Sequence, residues 1–188
     1  MKFALIAVGI VLLIVMVLGV SLVSARNELV TEREGINGMW AQIDVVLQRR
    51  NDLIPNLVET VKGFAKQEQS VIDSVTKARA QMAGAHTPEE KIAADGQLSP
   101  ALARLLLVVE NYPNIKSNEN FLRLQDELER TENRIAIARR DYNEAVKKYN
   151  TDIALFPSNI AASLFGFQRN DAYFKAEEGA KEAPKVKF

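Results

Sequence analysis

No cysteine occurs in this 188-residue chain. That excludes disulfides, thiolate metal sites and cysteine nucleophiles, and makes the chain indifferent to redox compartment. Histidine occurs once, as His86. It stands in a turn-like stretch with no second histidine to build a zinc ligand set. A helical di-iron site places a glutamate three positions before its histidine, and here that position is Ala83. Ser-His-Asp chemistry would have to rest on the same lone histidine, and no glycine-rich phosphate loop is present. Neither charge is in excess: 24 basic residues face 24 acidic ones. Without a basic surplus or stripe, nucleic acid is not an expected partner. No segment alternates apolar and polar residues between turn signals, so no strands are expected. These absences leave no implied cofactor and no expected enzymatic activity.

Between Phe3 and Ala25 there is no charged residue at all. As a helix this run rises about 34 Å, enough to cross a hydrocarbon core of roughly 30 Å. A buried core helix is rarely apolar on every face, so a membrane role is expected. Val23-Ser24-Ala25 carries small residues that a signal peptidase accepts, which leaves a cleaved signal as the alternative. The run exceeds the usual signal length, and an uncleaved anchor is the favoured reading. Lys2 and the amino terminus precede it, while Arg26, Glu28, Glu32, Arg33 and Glu34 follow with little basic excess. The positive-inside rule then places the remaining chain on the outer side.

Beyond the run, apolar residues fall into a three-four rhythm: Leu29, Ile36, Trp40, Ile43, Leu47, Ile54, Leu57, Val61 and Phe64. Arg33 and Arg50 occupy slots that this heptad rhythm would fill with apolar residues. Pro55 is expected to kink the helix or start a new one near Asp52 to Pro55. A shorter helix is predicted over 67–82. Thr87-Pro88-Glu89-Glu90 has the form of an N-cap followed by a first turn rich in acid, and its helix should reach about Asn111, disturbed by Gly96 and Pro100. Tyr112-Pro113-Asn114 reads as a turn. The longest pattern runs over 117–156, with a seam of Phe121, Leu128, Ile135, Tyr142 and Tyr149 and with Arg139 among the residues assigned mostly to its wet side. Two long heptad helices with shorter ones between them imply an all-α fold, an antiparallel helical bundle preceded by one transmembrane helix. The expected division is an anchor over 1–25, a bundle over 26–174 and a polar tail over 175–188. Within the bundle, 160–174 either caps the helices, which is favoured, or lies on a lipid surface.

Polar residues fall at or near the seams: Arg49, Arg50, Asp52, Asn56, Glu132, Asn133, Asn143 and Asn150. Buried polar groups are costly unless paired, so these are expected to form an interhelical network that fixes register; a ligand or partner site is the alternative. Arg50, Asp52, Glu132 and Asn133 in particular are expected to meet across the two long helices. At the far end, Val186 and Phe188 either pack back on the bundle or offer a C-terminal peptide for docking to a PDZ domain.

Trp40-Ala41-Gln42-Ile43-Asp44, Arg49 through Val58, Val61-Lys62-Gly63, Glu132-Asn133-Arg134-Ile135-Ala136 and Tyr142-Asn143 together resemble the LemA family of bacterial membrane proteins. The likeness spans essentially the whole chain; Arg26 departs from it, where relatives are expected to carry an aromatic residue. The resemblance implies an N-terminal anchor, an antiparallel bundle and no known catalytic residues. It also implies a setting in which some relatives are associated with envelope stress and membrane proteases and others with magnetosome membranes. The expectation that follows is a non-enzymatic, single-pass scaffold or adaptor of the bacterial inner membrane with its helical domain outside the cytoplasm. Its alternative is a lipid-binding bundle active in membrane remodelling. Expected partners are the lipid bilayer, other envelope membrane proteins, proteases among them, and a second copy of the chain.

Overall fold

The apolar run does not end at a helix boundary. A computed structural model, which describes residues 1–65 and 67–175, shows α1 continuing without interruption from Lys2 to Phe64. Residues 1–21 are all exposed, and Leu22 and Ala25 are the first to be covered by other parts of the chain. Bare Leu, Ile and Val on every side of a helix suit hydrocarbon, where the helix satisfies its own backbone.

Pro55 does not break α1, contrary to the expectation from its type. Proline deprives the carbonyl four residues earlier of its helical donor, and that carbonyl belongs to Asn51. Arg79, on α2 (Gln69–Gly84), donates its Nε to the Asn51 oxygen at 3.2 Å. The orphaned acceptor is thus satisfied from a neighbouring helix, and α1 continues for nine more residues.

Four further helices complete the described chain: α3 (Pro88–Val109), the single turn α4 (Pro113–Lys116), α5 (Glu119–Asp152) and α6 (Ser158–Phe165), with no strand among the described residues. Thr87 caps α3 by accepting the Glu90 N–H, and the Glu90 carboxylate accepts from the backbones of His86 and Thr87. Those bonds hold the Glu90 carboxyl below the usual carboxylate range. Pro100 lies inside α3 without ending it. Although α3 is long and apolar enough to cross a membrane, much of it is buried, and Leu98, Leu102, Leu105 and Val109 face a protein core. Asn118 starts α5 by accepting from the N–H groups of Asn120 and Phe121.

The chain divides into two compact units, each served by parts of both long helices. Unit 1 comprises Met1–Met39 and Asp141–Asp171. Its core is Ala25, Leu29 and Ile36 of α1, Tyr142, Val146 and Tyr149 of α5, and Ala161 and Ala162 of α6. Unit 2 comprises Trp40–Arg140 and, among the described residues beyond unit 1, 172–175. There Ile43, Leu47, Ile54, Leu57 and Val61 of α1 are buried with one face each of α2 and α3 and with Phe121, Leu128 and Ile135 of α5. Within unit 1, α1 and α5 run antiparallel, as Glu28 beside Asp152 and the pair Glu32–Lys148 record; within unit 2, Arg50 of α1 pairs with Glu132 of α5.

Candidate functional site

The heptad that carries Leu29, Ile36, Ile43 and Leu57 inward also carries Arg50, whose side chain is 0% exposed. A buried guanidinium needs both charge and hydrogen-bond partners. Arg50 finds them on two helices. Its Nη2 pairs with Asp95 of α3, and its Nη1 donates to Glu132 of α5 at 3.0 Å and to Ser99 Oγ at 3.2 Å. The second oxygen of Asp95 accepts from Arg139 of α5. Arg139 in turn lies 5.2 Å from the Phe174 ring, and Trp40 stacks on that ring at 6.1 Å. Two cations therefore face two carboxylates, tying α1, α3 and α5 together within unit 2. Arg50 Nε, Arg139 Nε and Asn51 Oδ1 are its buried polar atoms without a protein partner among the described residues.

Of the residues expected to form this network, the structure brings Arg50 and Glu132 together and leaves others out. Asp52 is exposed and accepts from Gln48 on its own helix at 2.8 Å; Asn133 is exposed. Residues one or two positions from a buried one point to other faces of a helix, which is why the stretch around each inward residue does not follow it in. Arg49 is also outward, pairing with Glu127 at 2.7 Å where both side chains are substantially exposed. Asn56 is exposed and lines a shallow groove with Glu59, Thr60, Asn120 and Arg123. Asn143 is half-buried and belongs to unit 1. Asn150, also in unit 1, clamps the backbone of Asn170 with two hydrogen bonds of 2.7 and 2.9 Å. Arg139, assigned mostly to the wet side of its helix, turns inward to Asp95. Val186 and Phe188 lie outside the described residues.

Asp95 is the partner that sequence reasoning missed. The signal was present: it sits three residues before buried Leu98 and three after half-buried Ile92, on the apolar stripe of α3. A charge on such a stripe asks for a counter-charge on a facing helix. Beside the network, Ser99, Gln125, Glu129 and Glu132 form the polar side of a groove of about 320 Å³ between α3 and α5, whose apolar side is Leu102, Ala103, Leu106 and Leu128.

Unit 1 holds a second group of charges. Glu28, Glu32 and Asp152 each place a carboxylate oxygen within 4.8 Å of the others. Lys148 supplies the positive charge, pairing with Glu32 and, at 2.9 Å, with Asp152. Burial pushes the Glu32 carboxyl up, and the neighbouring Asp152 adds to that rise against the pull of Lys148. Asp152 is held below its usual range by the hydrogen bond from Glu32 and by Lys148. Glu32 Oε2 is buried without a protein hydrogen-bond partner among the described residues. Around this group Arg26 covers the Phe165 ring at 5.5 Å and Arg33 covers Phe167 at 5.4 Å.

Comparison with known proteins places this architecture. Residues 39–188 match the LemA family. The chain is 30% identical over 190 residues to magnetosome protein MamQ 2 of Paramagnetospirillum magneticum, covering 87% of this chain and 69% of that protein. It is 26% identical over 185 residues to magnetosome protein MamQ of Magnetospirillum gryphiswaldense, covering 85% and 68%. It is 22% identical over 157 residues to protein LemA of Metamycoplasma hominis, covering 83% and 71%. The chain belongs to the LemA family, as its motifs indicated, and is a membrane-associated helical protein.

Proposed function

We propose that the protein is a non-enzymatic scaffold or adaptor of the bacterial envelope, held in the inner membrane by residues 3–25 with its helical domain outside the cytoplasm. The observation that carries this reading is the closed charge balance of the buried cluster. Both oxygens of Asp95 are taken by guanidinium groups, and Arg50 is occupied by Asp95, Glu132 and Ser99. Groups engaged with one another in this way fix helix register. By contrast, Leu107 and Leu122 stand exposed on α3 and α5, where a partner helix finds apolar surface.

The test is photocrosslinking in living cells from a photoreactive residue placed at Leu107 or at Leu122 of the full-length protein. Discrete adducts with defined membrane proteins, or with a second copy of this chain, are expected from at least one position. Absence of any protein adduct from both positions would overturn the scaffold reading.

A further inference from the structure

The second charge-free stretch of this chain lies in unit 1. From Ile153 to Gln168 there is no acidic, basic or histidine residue. This stretch comprises the turn after α5, helix α6 and the chain reversal at Gly166, whose φ of 73° suits glycine. Ala161 and Ala162 are buried, so the small face of α6 packs inward. The large residues face the other way: Leu155, Phe156, Ile160, Leu164 and Phe165 are 45–79% exposed. A soluble surface seldom gathers such side chains in one place without something to cover them.

The register within unit 1 fixes the level of this patch. Lys148 of α5 pairs with Glu32 of α1, and Asp152 stands in the carboxylate group with Glu28. The chain leaves α5 at Asp152, level with Glu28 and about one helical turn from Ser24. Arg26 lies over the Phe165 ring, which puts the end of α6 at the same height. Leu22 and Ala25, in the last turn of the apolar run, are the first of its residues to lose exposure. The exposed patch is thus continuous with the last turn of the anchor.

We propose that this tip, residues 153–165, dips into the bilayer beside the last turn of the anchor and forms a second, non-spanning contact with lipid. Its occupant is the boundary between headgroups and acyl chains, which accepts an apolar face flanked by polar residues. Arg26 lies where an arginine extends its charged head to the headgroups while its stem stays against apolar surface. The contact makes α5 and α6 part of the membrane attachment, so that unit 1 is held by more than a single helix. This inference rests on the proposal that residues 3–25 cross the bilayer.

The absence of native cysteine permits a direct test on the full chain. Leu13→Cys, Phe156→Cys, Leu164→Cys and Leu107→Cys are each spin-labelled and reconstituted in vesicles of phosphatidylcholine with a minority of phosphatidylglycerol. Collision of each label with dissolved oxygen and with a water-soluble nickel chelate reports depth. Labels at Leu13, Phe156 and Leu164 should show a severalfold higher oxygen-to-nickel ratio than the label at Leu107. An aqueous ratio at Phe156 or Leu164 with Leu13 in lipid overturns the dip and leaves the anchor standing. A label there shielded from both probes means that protein covers the patch, which overturns it equally. An aqueous ratio at Leu13 overturns the crossing itself, and the dip with it.

Discussion

Arg50 is as buried as Leu29, Ile36 and Ile43, whose heptad it shares, and its surroundings explain how that is tolerated. Asp95 carries most of the burden because its side chain is only 5% exposed, whereas Glu132 is 41% exposed and partly screened by solvent. Removing one member of a buried pair leaves an uncompensated charge and costs about 3–5 kcal/mol. Asp95→Ala and Arg50→Ala should each destabilise the detergent-solubilised protein by that order. Glu132→Ala should cost about 1 kcal/mol or less. Denaturant unfolding followed by circular dichroism separates the two cases, and equal losses at Asp95 and Glu132 would contradict this division. Arg50 was legible because a cation in an apolar slot announces itself. Its partners were legible only in part. The heptad pattern specifies a face of one helix, but not which charge on a second or third helix lies opposite, so Glu132 was anticipated, Asp95 was missed and exposed Asp52 was included wrongly.

At the scale of the element, α1 shows how local chemistry yields to packing. Proline inside a helix disrupts it by roughly 3 kcal/mol or more when its consequences go unanswered, and the pattern around Asp52 to Pro55 reads as a break for that reason. What the linear sequence does not display is Arg79, 28 residues beyond Asn51, whose guanidinium replaces the missing donor. The expected consequence is energetic coupling. Arg79→Ala alone leaves the Asn51 carbonyl unpaired and should cost about 1–3 kcal/mol. In a Pro55→Ala background the restored amide serves that carbonyl, and the same substitution should cost clearly less. A double-mutant cycle on thermal unfolding measures the difference; strict additivity would show that Arg79 does not support α1 through Asn51. The heptads themselves were plain in the sequence because each long helix repeats its apolar residue every seven positions. The C-terminal segment was harder. The stretch 160–174 offered both capping and lipid contact, since composition alone does not separate a face built of Ala161 and Ala162 from one built of Ile160, Leu164 and Phe165.

For the whole molecule, the central claim is that one unbroken helix leaves the bilayer and becomes a main element of an external helical domain. The apolar run and the first helix of the domain are one continuous helix, α1, from Lys2 to Phe64. Its position across the membrane has a direct measurement. Spheroplasts expressing the full-length chain with an N-terminal epitope are treated with protease, with and without lysis, and the epitope-bearing fragments are sized. Intact spheroplasts should lose everything beyond a short fragment containing the apolar run, and this fragment should stay with the membrane. Full-length protein that survives in intact spheroplasts and is cut only after lysis, or that is recovered free of membrane, would contradict this topology.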